Sequence, residues 1–235
     1  GLAAVQMNNK VYAIGGYDGQ DYLASAELLN PIEGNWEAVP PMATKRQGLA
    51  AAVLAGKLYA FGGSDGWNVA VTSAEVFDPE VGTWTMLPSL TSSRICPAAA
   101  ADEQKIFALG GIDRGSVLET VEAFDPQKNA WEPMPSMRQR RMGLAAVALG
   151  EMIYALGGID GTNVLASVEA FNPRFGEWEP KPPMVTKRNC LAAGVMEHFV
   201  VDPEPDQGPY PGRIFAVGGL DGANAVMTAE VFDPW

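Results

Sequence analysis

Residues 57–63 read KLYAFGG and residues 73–79 read SAEVFDP, and segments of this kind return at regular intervals along the chain. A glycine pair that follows an apolar run with one aromatic residue occurs five times: Gly15–Gly16, Gly62–Gly63, Gly110–Gly111, Gly157–Gly158 and Gly218–Gly219. The intervals between the second glycines are 47, 48, 47 and 61 residues. Self-similarity at a fixed period of this size predicts one structural unit per repeat.

Three other residue types keep the same period. A glutamate three residues before an Asn-Pro or Asp-Pro recurs at Glu27, Glu75, Glu122, Glu169 and Glu230. A tryptophan follows in four repeats, at Trp36, Trp84, Trp131 and Trp178. Ten residues after each tryptophan stands an arginine: Arg46, Arg94, Arg141 and Arg188. Because several marks recur in one register, the repeats must share one fold.

Each repeat has short apolar runs separated by turn signals and no sustained helical period, which predicts β-strands. In the second repeat we expect strands at 48–54, 57–62, 73–77 and 83–87. Asp-Gly pairs such as Asp65–Gly66 predict a turn after the second strand. A four-stranded sheet of this kind must cover its faces with neighbouring sheets. Repeat units of this length achieve this by packing side by side around a central axis. The predicted fold class is therefore all-β, a propeller of four-stranded antiparallel blades.

The Gly-Gly after an aromatic-containing strand, the Glu-x-Phe-Asp-Pro segment and the later tryptophan resemble kelch repeats, over essentially the whole chain. Two positions depart from the pattern: Arg114 replaces the turn glycine of the third repeat, and Leu29 replaces the third-strand aromatic residue of the first. We expect one kelch propeller domain over 1–235. Its repeats are approximately 1–47, 48–95, 96–142, 143–189 and 190–235, with an insertion at 197–212.

The fifth repeat lacks a fourth strand, which would leave an unpaired edge. We expect residues outside this sequence to complete the ring. The resemblance implies six blades, and five blades closed by an added strand is the alternative. The insertion at 197–212 is rich in proline, so we predict a solvated loop there rather than a calcium site.

Composition excludes several function classes. The formal net charge of −12 argues against binding to nucleic acid or to an anionic membrane. No apolar stretch reaches the roughly 18 residues of a membrane span. The single histidine, His198, argues against two-histidine metal sites, and we expect no metal, no cofactor and no catalytic residues.

The cysteine content favours a reducing compartment, so we expect a cytoplasmic protein. Cys96 and Cys190 stand two residues after a repeat arginine, where Gly48 and Gly143 stand in other repeats. They fall in blades that are not neighbours, so we do not expect a disulfide between them. We predict that both fill buried positions for small residues.

The four repeat arginines lie in the loop between one blade's fourth strand and the next blade's first strand. One alternative pairs each arginine with a repeat glutamate. In the other, the arginines face the central opening as a basic collar that binds a partner, because relatives of this fold that recruit acidic peptides use arginines in this loop. The acidic surroundings would make such a collar more selective.

Residues that vary between repeats on the same face are further candidates, because the blade itself does not need them. In the loop after the second strand we assign partner binding to Tyr17, Tyr22, Trp67, Asn68 and Asn163. Tyrosine and tryptophan are the residue types that dominate interface hot spots.

These features predict a protein-interaction module, not an enzyme, whose face of arginine and Asp-Gly loops binds a protein or peptide segment that carries acidic residues. Resemblance to BTB-kelch proteins implies the substrate-recognition part of a cullin-type ubiquitin ligase adaptor, joined to the cullin by a domain outside this sequence. Binding to actin is one alternative implied by the family. A sugar-acid isomerase-like enzyme, with the arginines holding a carboxylate, is the other.

Overall fold

The computed structural model describes residues 1–66, 69–196 and 212–233. Within these ranges the regular structure consists of 21 β-strands. They form five antiparallel sheets and one two-stranded hairpin. The all-β prediction is confirmed, and the sheets are the blades of a propeller.

Strand bounds follow the repeats. Blade 1 contains β1 (Ala3–Met7), β2 (Lys10–Ile14), β3 (Ala26–Asn30) and β4 (Asn35–Val39). Blade 2 contains β5 (Ala50–Leu54), β6 (Lys57–Phe61), β7 (Ala74–Asp78) and β8 (Thr83–Leu87). Blade 3 contains β9 (Ala98–Ala101), β10 (Ile106–Leu109), the hairpin β11 (Ile112–Asp113) and β12 (Ser116–Val117), β13 (Val121–Asp125) and β14 (Ala130–Met134). Blade 4 contains β15 (Ala145–Leu149), β16 (Met152–Leu156), β17 (Val168–Asn172) and β18 (Glu177–Lys181). Blade 5 contains β19 (Ala192–Met196), β20 (Arg213–Val217) and β21 (Ala229–Phe232).

In each blade the strands pair in chain order, from the innermost strand to the outermost. The bounds expected for the second repeat differ from those observed by one or two residues at the ends. Gly48 and Gly62, expected inside strands, lie outside them because their φ angles are +62° and +66°, which are not strand conformations. The prediction that the fifth blade lacks a fourth strand is confirmed for the described residues.

The third repeat, which has Arg114 in place of the turn glycine, forms its turn differently. Arg114 and Gly115 have φ angles of +48° and +82° and join the hairpin β11–β12. Two consecutive positive φ angles are typical of the type I′ turn, which matches the twist of a hairpin. The third blade therefore presents a short two-stranded hairpin where the other blades present an Asp-Gly turn.

The hydrophobic core consists of four clusters, one between each pair of neighbouring blades. Between blades 2 and 3, for example, Tyr59 and Phe61 pack with Ile106 and Phe124. The repeat tryptophans also join neighbours. The indole N–H of Trp84, Trp131 and Trp178 donates to the carbonyl of Pro40, Pro88 and Pro135, respectively, in the preceding blade, at 2.8–3.0 Å. These three tryptophans therefore tie each blade to the preceding one.

A chain of backbone hydrogen bonds links the inner edges of the blades. The N–H of Gly48, Cys96, Gly143 and Cys190 each donates to the carbonyl of the equivalent residue in the preceding blade, at 2.7–3.0 Å. Cys96 and Cys190 have φ angles of +52° and +50°, although both carry a side chain. Both are free thiols, as expected, but Cys190 is exposed. Cys96 is partly buried. The predicted burial of Cys190 is wrong, because no described residue follows it in this backbone ring to cover it.

The first glycine of each pair lies against the arginine loop of the following blade. A Cβ on Gly15, Gly62, Gly110 or Gly157 would lie 2.2–2.7 Å from the carbonyl oxygen of the next repeat arginine. That distance is shorter than any real contact, so only glycine fits. At Gly218 the corresponding nearest atom is 3.7 Å away, because no described arginine loop lies there.

These two environments allow a matched test. Gly110 and Gly218 have nearly the same φ, +60° and +65°. Gly218→Ala should cost about 1–2 kcal/mol of unfolding free energy, from the left-handed conformation alone. Gly110→Ala should cost at least about 2 kcal/mol more, because the Arg141 carbonyl must move. Urea denaturation followed by circular dichroism measures both, and equal costs would show that close approach does not matter.

Candidate functional site

Two sets of loops meet at one edge of the blades. The loops before the first strands include segments 43–47, 91–95, 138–142 and 185–189. The loops after the second strands include segments 17–22, 112–117, 159–164 and 220–225 and the described part of 64–70. Bridges join the two sets within blades 2 to 5, at Gln47–Ser64, Ile95–Ile112, Met142–Ile159 and Asn189–Leu220. We call the surface that these segments form the loop face.

The repeat arginines belong to the loop face by position, but their side chains are buried. Arg46 is 0% exposed. One amino group of its guanidinium donates to the carbonyls of Gly62 and Ser73 at 2.9 and 2.8 Å, and the other donates to Ser73 Oγ and Glu75, both at 2.9 Å. All of these acceptors belong to blade 2.

The same arrangement recurs at Arg94, Arg141 and Arg188, each also 0% exposed. Their partners are Glu122, Glu169 and Glu230, at 2.8–2.9 Å. Burial lowers the pKa of Arg46, Arg94 and Arg141, and the paired glutamate opposes that effect. The structure therefore shows the first alternative, in which each repeat arginine pairs with a repeat glutamate. The assignment of Arg46, Arg94, Arg141 and Arg188 to a partner-binding collar is corrected, because a guanidinium that is 0% exposed and bound to the next blade has no surface for a partner. Of these guanidinium nitrogens, Arg46 Nε alone lacks a hydrogen-bond partner among the described residues.

The glutamate does more than neutralise the arginine. Glu75 also accepts hydrogen bonds from the backbone N–H groups of Ala43 and Thr44, at 2.6 and 3.1 Å. The carboxylate thus fixes the loop that enters its own blade. Meanwhile the Arg46 carbonyl accepts from the Gly16 N–H at 2.7 Å. Its backbone is bound to blade 1 and its side chain to blade 2.

Cations do reach the surface of the loop face, one residue earlier. The residue before the repeat arginine is Lys45, Arg140 or Lys187 in three loops, and all three are exposed. The fourth loop has Ser93 there, with the exposed Arg114 of the hairpin β11–β12 nearby. Our sequence reasoning missed these residues. The sequence did contain a signal for them, because this position differs from repeat to repeat whereas the arginine after it is the same in all four loops.

The Asp-Gly turns supply carboxylates beside these cations. Asp18, Asp160 and Asp221 each accept two backbone N–H groups from their own turn, at 2.7–2.9 Å. These backbone hydrogen bonds lower the pKa of all three carboxyl groups, with a smaller effect from Lys45, Arg140 and Lys187, respectively. The loop face is therefore a mixed surface of hydrogen-bonded carboxylates and exposed basic side chains.

The predicted loop residues lie on this face where they are described. Tyr17 is 48% exposed, and its ring lies 5.4 Å from that of Tyr22. Tyr22 also approaches Gly66 in the neighbouring blade. Asn163 is exposed, and its backbone N–H is bound by Asp160. Trp67 and Asn68 lie outside the described residues, as does the insertion up to residue 211.

Two recesses open on the loop face between neighbouring blades. One, of about 440 Å³, lies between blades 4 and 5 and is lined by Asn163, Lys187 and Asp221, among others. The second, of about 390 Å³, lies between blades 2 and 3. Its apolar wall includes Ile95 and Ile112, and Asp113 and Arg114 provide its charges. The structure thus brings Asn163 together with a lysine and an aspartate that were not predicted.

The described residues contain no group of three or more His, Cys, Asp or Glu side chains that could hold a metal ion. In the same part of the chain, no helix has the length and apolar character needed to cross a membrane.

A comparison with protein-family models matches residues 1–200 to the KLHDC2/KLHL20/DRC7 Kelch-repeats domain. The chain belongs to this kelch-repeat family. Curated proteins give no significant match. Kelch propellers are in general protein-interaction modules and not enzymes, and the mixed, recessed loop face of this kelch propeller is consistent with that role.

The ion pairs of this kelch propeller can be tested within one chain. Glu122 is buried against Arg94, whereas the equivalent Glu27 of blade 1 is exposed and has no ion-pair partner among the described residues. Glu122→Gln should lower the unfolding free energy by about 3 kcal/mol or more, because it leaves a buried charge uncompensated. Glu27→Gln should change it by less than about 0.5 kcal/mol. Urea denaturation compares them, and a similar loss in both variants would contradict the assigned role of the pair.

Proposed function

We propose that this kelch propeller binds a segment of a partner protein across the loop face. The observation that carries the proposal is the separation of roles in the arginine loops. The arginines that recur in all four loops are buried and hold the blades together, while the residues beside them, which differ between repeats, are exposed and border two recesses. A fixed scaffold with a variable surface is how specificity is built in interaction modules.

The chemistry of the loop face favours a segment with both polar and apolar side chains. The Tyr17–Tyr22 pair offers a rigid aromatic surface, and tyrosines are enriched among residues that contribute most to binding. Ile95 and Ile112 offer an apolar wall. Lys45, Arg140 and Lys187 are the cations that an acidic residue of the partner would meet, so they replace the repeat arginines in the proposed site.

The finer proposal is a substrate-recognition role in a cullin-type ubiquitin ligase, in the cytoplasm. It rests on the family resemblance and on the interaction face, and the cullin would bind through a domain outside residues 1–235. Immunoprecipitation of the full-length protein tests it. Recovery of a cullin is expected, and a protein that recovers none in any growth condition has another role.

Two alternatives have weaker support. Binding to actin filaments is tested by cosedimentation at low and high salt, where absence from the pellet at low salt removes it. For a sugar-acid isomerase, the arginines expected to hold the substrate carboxylate are buried in ion pairs. Nothing among the described residues favours that chemistry over binding.

A pull-down from cell lysate tests the face directly. Tyr22→Ala and Lys187→Ala should each weaken recovery of specific partners by about tenfold, as expected for residues near the centre of an interface. Phe175→Ala and Arg174→Ala are matched controls in the turn between β17 and β18, at the opposite edge of blade 4, where both residues are exposed. Equal recovery with all four variants, at unchanged melting temperature, would place binding elsewhere.

A further inference from the structure

The two cysteines of the chain belong to one ring of residues at the inner edges of the blades. Two residues before each first strand stands a residue whose backbone is hydrogen-bonded to the equivalent residue of the neighbouring blade. We call these residues the inner ring: Gly1, Gly48, Cys96, Gly143 and Cys190. The Gly143 N–H donates to the Cys96 carbonyl at 3.0 Å, and its own carbonyl accepts from Cys190 at 2.7 Å. A single glycine therefore separates the two cysteines.

The Cys190 thiol extends over Gly143, on the side of Cys96. A Cβ placed on Gly143 would lie 3.3 Å from Cys190 Sγ. Because Gly143 has no side chain, no side chain of the inner ring stands between the two thiols. The thiols also interact electrostatically. Burial raises the pKa of the Cys96 thiol, and negative charge on Cys190 adds to that rise.

The separation of the two cysteines suits a bridging ion and not a disulfide. Each step of the ring is about 5 Å, and because the ring curves around the central axis, two steps place the cysteine Cα atoms about 8–9 Å apart. A disulfide requires Cα atoms within about 7 Å. An ion held about 2.3 Å from each sulfur replaces the S–S bond of about 2 Å by a straight span of about 4.6 Å. That longer bridge joins Cα atoms up to about 9 Å apart.

The ligand set determines which ion fits. Thiolates bind soft cations. Structural Zn²⁺ sites take four protein ligands, and the described residues contain no group of three or more His, Cys, Asp or Glu side chains that could hold a metal ion. Cu⁺ is soft and is stable between two thiolates in a linear arrangement. Two cysteines are therefore a complete ligand set for Cu⁺ and an incomplete one for Zn²⁺.

The requirements of the fold do not account for either cysteine. Cys96 and Cys190 have φ angles of +52° and +50°, a conformation that disfavours residues with a side chain. The equivalent residues of blades 2 and 4 are Gly48 and Gly143, which adopt it without strain. Glycine would therefore serve the backbone better at both positions, and a ligand shared by the two thiols gives the side chains a role.

We propose that Cys96 and Cys190 together bind one Cu⁺ ion across the inner ring, over Gly143. The Cys190 thiol already lies on that side, and rotation about χ1 turns the Cys96 thiol from its place over Gly48 towards Gly143. Binding is an exchange of protons without a change in oxidation state: Cu⁺ replaces the proton of each thiol, and two protons pass to solvent. The ion would join blades 3 and 5, which are not neighbours.

An anaerobic titration with Cu⁺ tests the proposal, with the coloured Cu⁺ chelator bicinchoninate as the competitor. The 235-residue chain should withdraw one equivalent of Cu⁺ from the chelator, measured as a loss of its absorbance. Ellman's reagent should count two thiols in the metal-free chain and none in the complex. Because protons compete with Cu⁺ for both sulfurs, the affinity should increase as the pH is raised from about 6 to about 8.

Glycine variants identify the ligands without disturbing the fold. Cys96→Gly and Cys190→Gly each supply the residue that blades 2 and 4 have at this position. Each should weaken Cu⁺ binding by about 100-fold or more, because the ion loses one of two linked points of attachment. Met86→Leu is the matched control, since it removes a soft sulfur that is 53% exposed on the outermost strand of blade 2, and it should leave binding unchanged.

Thermal denaturation supplies a second readout. A ligand that binds only the folded chain raises its melting temperature. One equivalent of Cu⁺ should therefore raise the melting temperature of the unmodified chain and of Met86→Leu, and leave that of Cys96→Gly and Cys190→Gly unchanged. Circular dichroism measures these transitions and confirms that each variant is folded.

Three outcomes would overturn the proposal. The first is a chain that withdraws no Cu⁺ from bicinchoninate. The second is equal retention of Cu⁺ by the unmodified chain and by the double variant Cys96→Gly/Cys190→Gly, which would assign the ion to other groups. The third is binding of two equivalents with one lost in each single variant, which would show that the thiols act independently. Because none of these measurements involves a partner protein, failure here would leave the proposed function standing.

Discussion

The rest of this structure depends on one interaction, the buried arginine that belongs to two blades at once. The backbone of Arg141 is held by Gly111 and Leu118 of blade 3, while its guanidinium is held by Gly157, Ser167 and Glu169 of blade 4. Desolvating a guanidinium and a carboxylate costs several kcal/mol for each ion, so the pair stabilises the fold only because nearly every donor finds an acceptor. That requirement explains why the glycine pair, the glutamate and the arginine recur together. The arginine needs the glycine carbonyl and the glutamate as acceptors, and the buried glutamate needs the arginine to balance its charge.

Much of the fold could be predicted because the same local sequence pattern occurs five times in the chain. The period gave five units, and the alternation of apolar residues with Asp-Gly and Asp-Pro turns located the strands to within one or two residues. The direction of the arginine side chains could not be predicted in the same way. A residue at this loop position can point towards the central opening or back into the next blade, and only the three-dimensional approach of Gly157 and Glu169 decides between them. The positive φ angles of Cys96 and Cys190 were not predicted, although both residues stand where other repeats have Gly48 and Gly143, because cysteine itself does not signal a left-handed conformation.

The proposed binding surface follows from the same geometry. When the arginine turns inward, the residue before it turns outward, so Lys45, Arg140 and Lys187 lie in solvent beside fixed carboxylates. Composition did not reveal this, because the buried arginines contribute a quarter of the 16 cationic residues and are each cancelled by a buried or partly buried glutamate. The recurrent charges build the scaffold, and the charges that vary from blade to blade are the ones available to a partner. Variation within one sequence is therefore a better guide to the proposed binding face than recurrence.

Blade-by-blade construction also divides the stability among the interfaces between neighbouring blades. In repeat architectures stability is close to a sum of unit terms and nearest-neighbour interfaces. Among the described residues blade 5 packs against blade 4 alone, through the cluster around Tyr154, Leu191 and Ile214. The recess lined by Asn163, Lys187 and Asp221 spans the same two blades. A ligand that binds only an ordered blade stabilises it by mass action, wherever on that blade it binds. A ligand that occupies this recess contacts both blades, so its binding would stabilise the interface between blades 4 and 5.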